Sequence, residues 1–459
     1  MTNRASITSV TKWRGSRRTV VAGALGAAAV AAGMPRLGRT QENAPPAASP
    51  VGGGAGPHLL VADRNVDSIY VYSIPGFELT GQLDDIGFGI HGGSFLLEDG
   101  RLLFADTAND EVVALTVSEE GVPEIAQRVA ANLGGNVAWI SADPGLTHLV
   151  VGSLAEEAAT QFLNVVDLER FENTILEFQM EEPEEIHGWL LGDPLHLHVA
   201  VGGRIDSYVL SDLVAGNKEP LASVPVDLGS HGGATDGRNQ RLLYTTQPGS
   251  GYDVLDVAAG PAEYLTQIPW DVDGLAGGRN ARPRMLRDGR HIFGVMTPGL
   301  DDPSRWAETM VSNHIADVDD LTAVRLPIDI GTIGYRWGLS DRYALWAGYN
   351  ADGAKAYLLD ADPASDTFGT AVETIDIAMP SGAATPGEDY DGSEFYIMTA
   401  ITPDGRYGFA TISGDGLIQA LDLDAGTVVA DIPVPSPLAG GGYTTVVQAG
   451  VEPVDLWAR

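Results

Sequence analysis

Residues 402–434 read TPDGRYGFATISGDGLIQALDLDAGTVVADIPV, and this stretch decides the fold. An Asp404-Gly405 turn leads into a short apolar run, RYGFAT at 406. A Gly-Asp-Gly turn at 414–416 leads into a run of alternating apolar residues at 417–423, and a further turn leads into 427–434. Asp and Gly turns between such runs are the chemistry of antiparallel hairpins. Working back toward the N-terminus, the apolar run recurs as RYALWA at 342, RHIFGV at 290, RLLYTT at 241, LHVAVG at 197, THLVVG at 147, RLLFAD at 101 and HLLVAD at 58. In chain order the spacings are 43, 46, 50, 44, 49, 52 and 64. Alternating runs follow the copies, as at 68–73, 111–117 and 252–257. Four-stranded units repeating at about 45 residues mark a β-propeller.

Each such sheet has two apolar faces and cannot bury both alone, whereas a ring of sheets buries them all. The repeats predict an all-β propeller of eight four-stranded blades. Seven is the alternative, because the 64-residue spacing is the least regular. The chain enters the repeat at HLLVAD without an innermost strand for the first blade. GGGYTTVVQ at 440–448 supplies a spare one, which is expected to pair into the first blade and close the ring. Residues 298–308 are expected to form a surface excursion carrying Trp306.

Composition narrows the function. The chain has 459 residues, with 27 Lys+Arg against 62 Asp+Glu and a formal net charge of −35. That balance argues against nucleic acid and against an anionic membrane surface. With no Cys, disulfides, thiolate metal sites and a Cys nucleophile are excluded. Any metal must be held by His, carboxylate or backbone oxygen. Ser16-Arg17-Arg18 before the Ala/Gly-rich run at 19–33 reads as a twin-arginine export signal. The expected organisation is a signal at 1–34, a Pro/Gly/Ser-rich linker at 35–57, one propeller domain at 58–450 and a tail at 451–459. Localisation is expected to be extracytoplasmic, periplasmic or secreted, with no membrane span after signal removal.

Three of the nine His share one context. His91 heads HGGSFLLEDG, His187 heads HGWLLGDPL and His231 heads HGGATDGRN, each ten residues before the aligned apolar run. This spacing predicts one structural position in three blades, at one mouth of the channel. Neutral imidazole is a good zinc ligand. The Gly after each His is expected to let the ring approach the axis. Glu185, at the end of the acidic run 181–185, is the candidate carboxylate for a shell of two His and a carboxylate or water. The alternative is that HG only marks a loop turn. His58, His196, His198, Arg284 and Arg336 are secondary candidates. In His196-Leu197-His198 alternation puts both rings on one face, which also suits packing between blades. The same loop offset nominates Arg284 in the sixth blade, and Arg336 and Trp337 in the seventh.

The unit at 402–434 resembles the YVTN and cytochrome-d1-type propeller repeat. HLLVAD at 58, IHGG at 90–93, IHG at 186–188 and VAVGG at 199–203 together resemble the bacterial periplasmic zinc-chaperone propellers of the AztD type. That resemblance implies zinc held by His91 and His187, with His231 and His58 as further ligands. It also implies delivery of the ion to the solute-binding protein of a zinc transporter.

No Ser-His-Asp order, nucleophile elbow or P-loop occurs, and no catalytic residue is nominated. The expected function is thus an exported, non-enzymatic, metal-binding propeller, a zinc-handling metallochaperone. One alternative is a propeller hydrolase of the lactonase type, with His and Arg polarising a carbonyl. The other is an extracytoplasmic interaction scaffold without metal.

Overall fold

A computed structural model describes residues 56–88, 94–133, 137–153, 160–179, 186–226, 233–245, 251–280, 283–300, 302–334, 336–383, 397–439 and 442–451. The chain divides into compact units at 1–51 and 52–459. The first, with the expected export signal, lies outside the described residues, and so do His91, His231 and Glu185.

Eight antiparallel sheets make up the second unit, arranged in a ring as a β-propeller. The inner strands of blades 2 to 5 are Phe95–Leu96, Val137–Ala142, His187–Leu191 and Gly233–Thr235. In blade 6 the inner strand comes in two pieces, Arg279–Asn280 and Arg284–Met285. Trp337–Leu339 and Thr399–Ile401 serve blades 7 and 8. Blade 1 consists of Leu79–Asp84, Ser68–Ser73 and His58–Asp63 plus the C-terminal strand Tyr443–Val447, which pairs with His58–Asp63. Among the described residues helix is confined to Leu210–Val214 and two short 3-10 segments.

The second strand of each blade shows why its sequence is apolar throughout rather than alternating. Successive side chains point to opposite faces of a sheet, and here both faces are covered. Leu59 and Val61 pack against blade 8, while Leu60 and Ala62 pack against blade 2. Leu102 and Phe104 turn back to blade 1, and Leu103 and Ala105 turn forward to blade 3. The core is therefore divided into eight clusters, one between each pair of consecutive blades, including blades 8 and 1. Outer strands alternate exposed residues with half-buried or buried ones instead, as in Thr427–Pro433.

Ring closure is reinforced by polar contacts. The Asp63 carboxylate accepts the Leu438 N–H at 3.0 Å and the Asn65 N–H at 2.9 Å. The Asn65 side chain donates to the Ala439 carbonyl. Tyr72 donates its hydroxyl to the Pro433 carbonyl at 3.1 Å. At the opposite end of the blades lie the Asp-Gly hairpins. Gly100, Gly289 and Gly405 have φ of +87°, +64° and +70°, a region that disfavours side chains.

Trp306 differs from expectation. The excursion Pro303–Glu308 is a 3-10 segment, but Trp306 is fully buried, edge-on to Tyr349 with ring centroids 5.9 Å apart. Its indole fills a gap in the core between blades 7 and 8, and so anchors the excursion.

Candidate functional site

A hydrogen bond at each inner hairpin gives a common origin for comparing blades. The N–H groups of Leu97, Asp143, Asp236, Leu286, Ser340 and Thr402 bond the carbonyls of Arg101, His148, Arg241, His291, Tyr343 and Tyr407. Leu191 pairs with His196 and Val447 with His58. Four residues back from this origin, toward the loop end of the channel, lie Tyr443, Trp139, His187, Arg336 and Met398, in blades 1, 3, 4, 7 and 8. By register they stand at one level of the inner strands.

His187 opens the inner strand of blade 4 at this level, opposite Ala200. It is buried, and its ring lies nearly parallel to that of Trp189, centroids 6.0 Å apart. Gly188 serves packing: a Cβ there would sit 3.2 Å from Leu163 and from Leu197. The glycine thus lets blade 3 come close, a reason different from the expected freedom of the ring.

The ten-residue spacing of the three His is not one count in sequence from the hairpin origins. It spans hairpins of different length and apolar runs aligned one residue out of step. Counted back from Leu97, Leu191 and Asp236, the three stand 97 − 91 = 6, 191 − 187 = 4 and 236 − 231 = 5 residues upstream. His91 and His231, which lie outside the described residues, are thus two residues and one residue further in sequence from their hairpin origins than His187 is from its own.

His58 and His196 stand at the hairpin end, equivalent to each other and to His148 and His291. Four residues separate that level from His187, roughly 13 Å along a strand at ~3.3 Å per residue. A zinc ion with Zn–N bonds of ~2.1 Å cannot bridge that span. These histidines instead pack on the next blade. The His58 ring lies against Gly121, and the His196 ring against Gly260, where a Cβ would meet it at 2.7 Å. His291 meets Phe368 at 5.1 Å. Burial lowers the pKa of His58, with an opposing contribution from the Gly56 carbonyl. His198 is fully buried, its Nδ1 3.0 Å from the Ser207 hydroxyl, which also accepts the Ala262 N–H. Burial, aided by His196, pushes its pKa down to about 3. It is a neutral packing group.

Arg284 and Arg336 lie on the other side of the channel. The Arg284 guanidinium stands 5.8 Å from the Trp337 ring centroid and donates to the Trp337 carbonyl at 3.3 Å. The Arg336 guanidinium stands 5.7 Å from the Tyr443 ring, which belongs to blade 1. Between them lies the inner strand of blade 8, where the Thr399 hydroxyl donates to the Leu345 carbonyl at 2.7 Å. The Tyr443 hydroxyl is 3.1 Å from that of Ser94 in blade 2. A chain of contacts thus lines the wall from blade 6 round to blade 2.

Among the described residues no group of three or more His, Asp or Glu could hold a metal ion. The described metal donor at the loop-end level is His187. A cleft of about 620 Å³ lies at the hairpin end between blades 2 and 3, with Glu98, Arg101, His148 and Asp167 among its lining. Its charges serve the turns: Arg101 pairs with Asp99 at 2.7 Å, and Asp167 accepts the N–H groups of Glu169 and Arg170.

No protein-family model and no curated protein matches the chain. Solved propellers do. Apo AztD from Citrobacter koseri superposes with a TM-score of 0.60 at 10% identity, over 86% of this chain and 99% of its own. Dihydro-heme d1 dehydrogenase NirN, in complex with DHE, gives 0.55 at 14% identity, over 84% of this chain and 74% of its own. The chain has the propeller fold of AztD and NirN. At such identity the likeness is one of backbone architecture, and the site must be argued from the side chains of this chain.

The sequence nominated His187, Arg284 and Arg336, and Tyr443, which the structure places at the level of His187 and Arg336, was not among the candidates. The signal was present. Counting four residues back from each hairpin origin, rather than ten from each apolar run, selects Tyr443 together with Arg336 and His187.

Proposed function

We propose that this chain is an exported metal-binding propeller that handles zinc outside the cytoplasm. The observation that carries the reading is His187, buried against Trp189 at the loop-end level of the channel. In sequence, His231 lies five residues before Asp236 of the adjacent blade, His91 six before Leu97 of blade 2, and Glu185 two before His187. Imidazoles from adjacent blades plus a carboxylate make a donor set suited to Zn²⁺, with no thiolate required. The AztD-type motifs and the fold shared with AztD support the same reading. So does the Ser16-Arg17-Arg18 signal, which implies transport beyond the cytoplasm. A binding protein of a zinc transporter is the partner this function calls for. Among the described residues no helix is long and apolar enough to cross a membrane.

Calorimetric titration of metal-free protein with Zn²⁺ tests the proposal. A saturable site is expected, weakened at least about tenfold in His187→Ala and abolished in the variant lacking His91, His187 and His231. Absence of a saturable site, or unchanged affinity in the triple variant, overturns it.

A further inference from the structure

We propose that residues 452–459 of this chain dock into the cleft between blades 2 and 3 at the hairpin end, with Trp457 seated on the leucines of that cleft, as a second clasp on the ring. The described chain leads there. After pairing with His58–Asp63 in blade 1, it crosses to the hairpin of blade 2. Ala449 lies against Gly100, where an added Cβ would meet the Ala449 Cβ at 2.9 Å, and the Gly450 N–H donates to the Glu98 carbonyl at 2.8 Å. Gly450 itself lines the cleft, and its φ of +74° turns the chain. Residues 452–459 read EPVDLWAR and lie outside the described residues. From Gly450 to Trp457 is 457 − 450 = 7 residues. At ~3.3 Å per residue they span up to roughly 23 Å, ample for a cleft that Gly450 already borders.

Cleft and segment match in chemistry. Leu97, Leu146 and Leu168 line the cleft. Charged groups beside them are already engaged: Arg101 with Asp99 and Gln127, and Asp167 with the N–H groups of Glu169 and Arg170. The cleft therefore offers a leucine floor between two exposed carboxylates, Glu98 on the blade 2 side and Glu169 on the blade 3 side. The segment brings Leu456 and Trp457, then Arg459, the one basic residue after Arg406 in the sequence. Every tryptophan whose exposure is described, namely Trp189, Trp270, Trp306, Trp337 and Trp346, is buried. An indole gains most from covering its large apolar area, and the leucine floor is a surface within reach of Trp457. A chain that enters from the blade 2 side then brings Arg459 beside Glu169. This docking is independent of the metal reading.

Disulfide trapping tests it, because a chain without Cys reports an engineered pair with no background. Glu169→Cys with Ala458→Cys in the full chain, treated with oxidised glutathione, should close an intramolecular disulfide, which requires Cα atoms within about 7 Å. The control pair joins Ala458→Cys to Glu373→Cys, at an exposed position of the outer strand Ala371–Ile377, and should stay open. Trp457→Ala added to the first pair should slow closure at least about fivefold, since the anchor is lost. Leu146→Asn acts from the cleft side and should slow closure severalfold; Asn suits the φ of +52° at that position. Closure no faster than in the control pair overturns the proposal. So does a rate unchanged by Trp457→Ala or by Leu146→Asn, and so do disulfide-linked dimers in place of the intramolecular bond, which would put a second copy in the cleft.

Discussion

The Arg336 guanidinium lies 5.7 Å from the centre of the Tyr443 ring, although the two residues belong to blades separated by a third. Tyr443 opens the strand that closes the ring, and its ring also stacks on Phe88 at 4.7 Å. The contact therefore couples the channel wall to ring closure. Tyr443→Leu should lower stability by about 1–3 kcal/mol, through the lost cation–π contact and aromatic packing. Tyr443→Phe should lose much less. Chemical denaturation of both variants checks the order.

Asp63 holds the loop that leads into the closing strand. Asp63→Ala leaves the buried Leu438 N–H without its acceptor and should cost about 1–3 kcal/mol. A chain ending at Ala439 lacks the closing strand and leaves the edge of His58–Asp63 unpaired. It should unfold at lower temperature and associate in light scattering.

Gly233 tests the packing of blade 5 against blade 4. A Cβ there would lie 2.3 Å from the Leu243 carbonyl oxygen and 3.1 Å from the Trp189 ring. Gly233→Ala should destabilise by about 1–3 kcal/mol. Gly56→Ala, with open space around it, should leave thermal stability unchanged.

Acid sensitivity follows from two buried imidazoles. Burial pushes His198 down to about 3 and His314 down to about 4, the latter helped by Arg325 and opposed by the Pro269 carbonyl. Both are neutral in the fold, but in the unfolded chain they take up protons near 6.5. Stability is therefore full above about pH 7 and falls as pH drops from about 6.5 toward the folded values. The slope approaches about 1.4 kcal/mol per pH unit for each histidine. Denaturation curves between pH 7 and pH 5 should show this loss, and His314→Gln should reduce its slope.

The architecture was legible because blades bury both faces. HLLVAD, RLLFAD and RYGFAT announce strands covered on two sides, and the spare run at 440–448 announces how the ring closes. The channel level was only half legible. A spacing of ten residues counts hairpin residues as if all hairpins were alike, whereas Leu97 to Arg101 and Leu191 to His196 differ by one. Each miscounted residue flips a side chain to the other face of its sheet. Trp306 was misjudged because an insertion looks like surface in sequence, while an indole seeks a gap in a neighbouring core. His196 gave no sign that its ring faces Gly260, since the next blade's hairpin is far away in the chain.

The proposed zinc site, held by imidazoles at the loop end of the channel, has one direct test. Anomalous scattering at the zinc edge, from crystals grown with one equivalent of Zn²⁺, locates the ion directly. A peak at ~2.0–2.1 Å from a ring nitrogen of His187 is expected, with His91 or His231 as a second ligand. A peak only at the hairpin end, beside His148 and Asp167, or none at all, would contradict it.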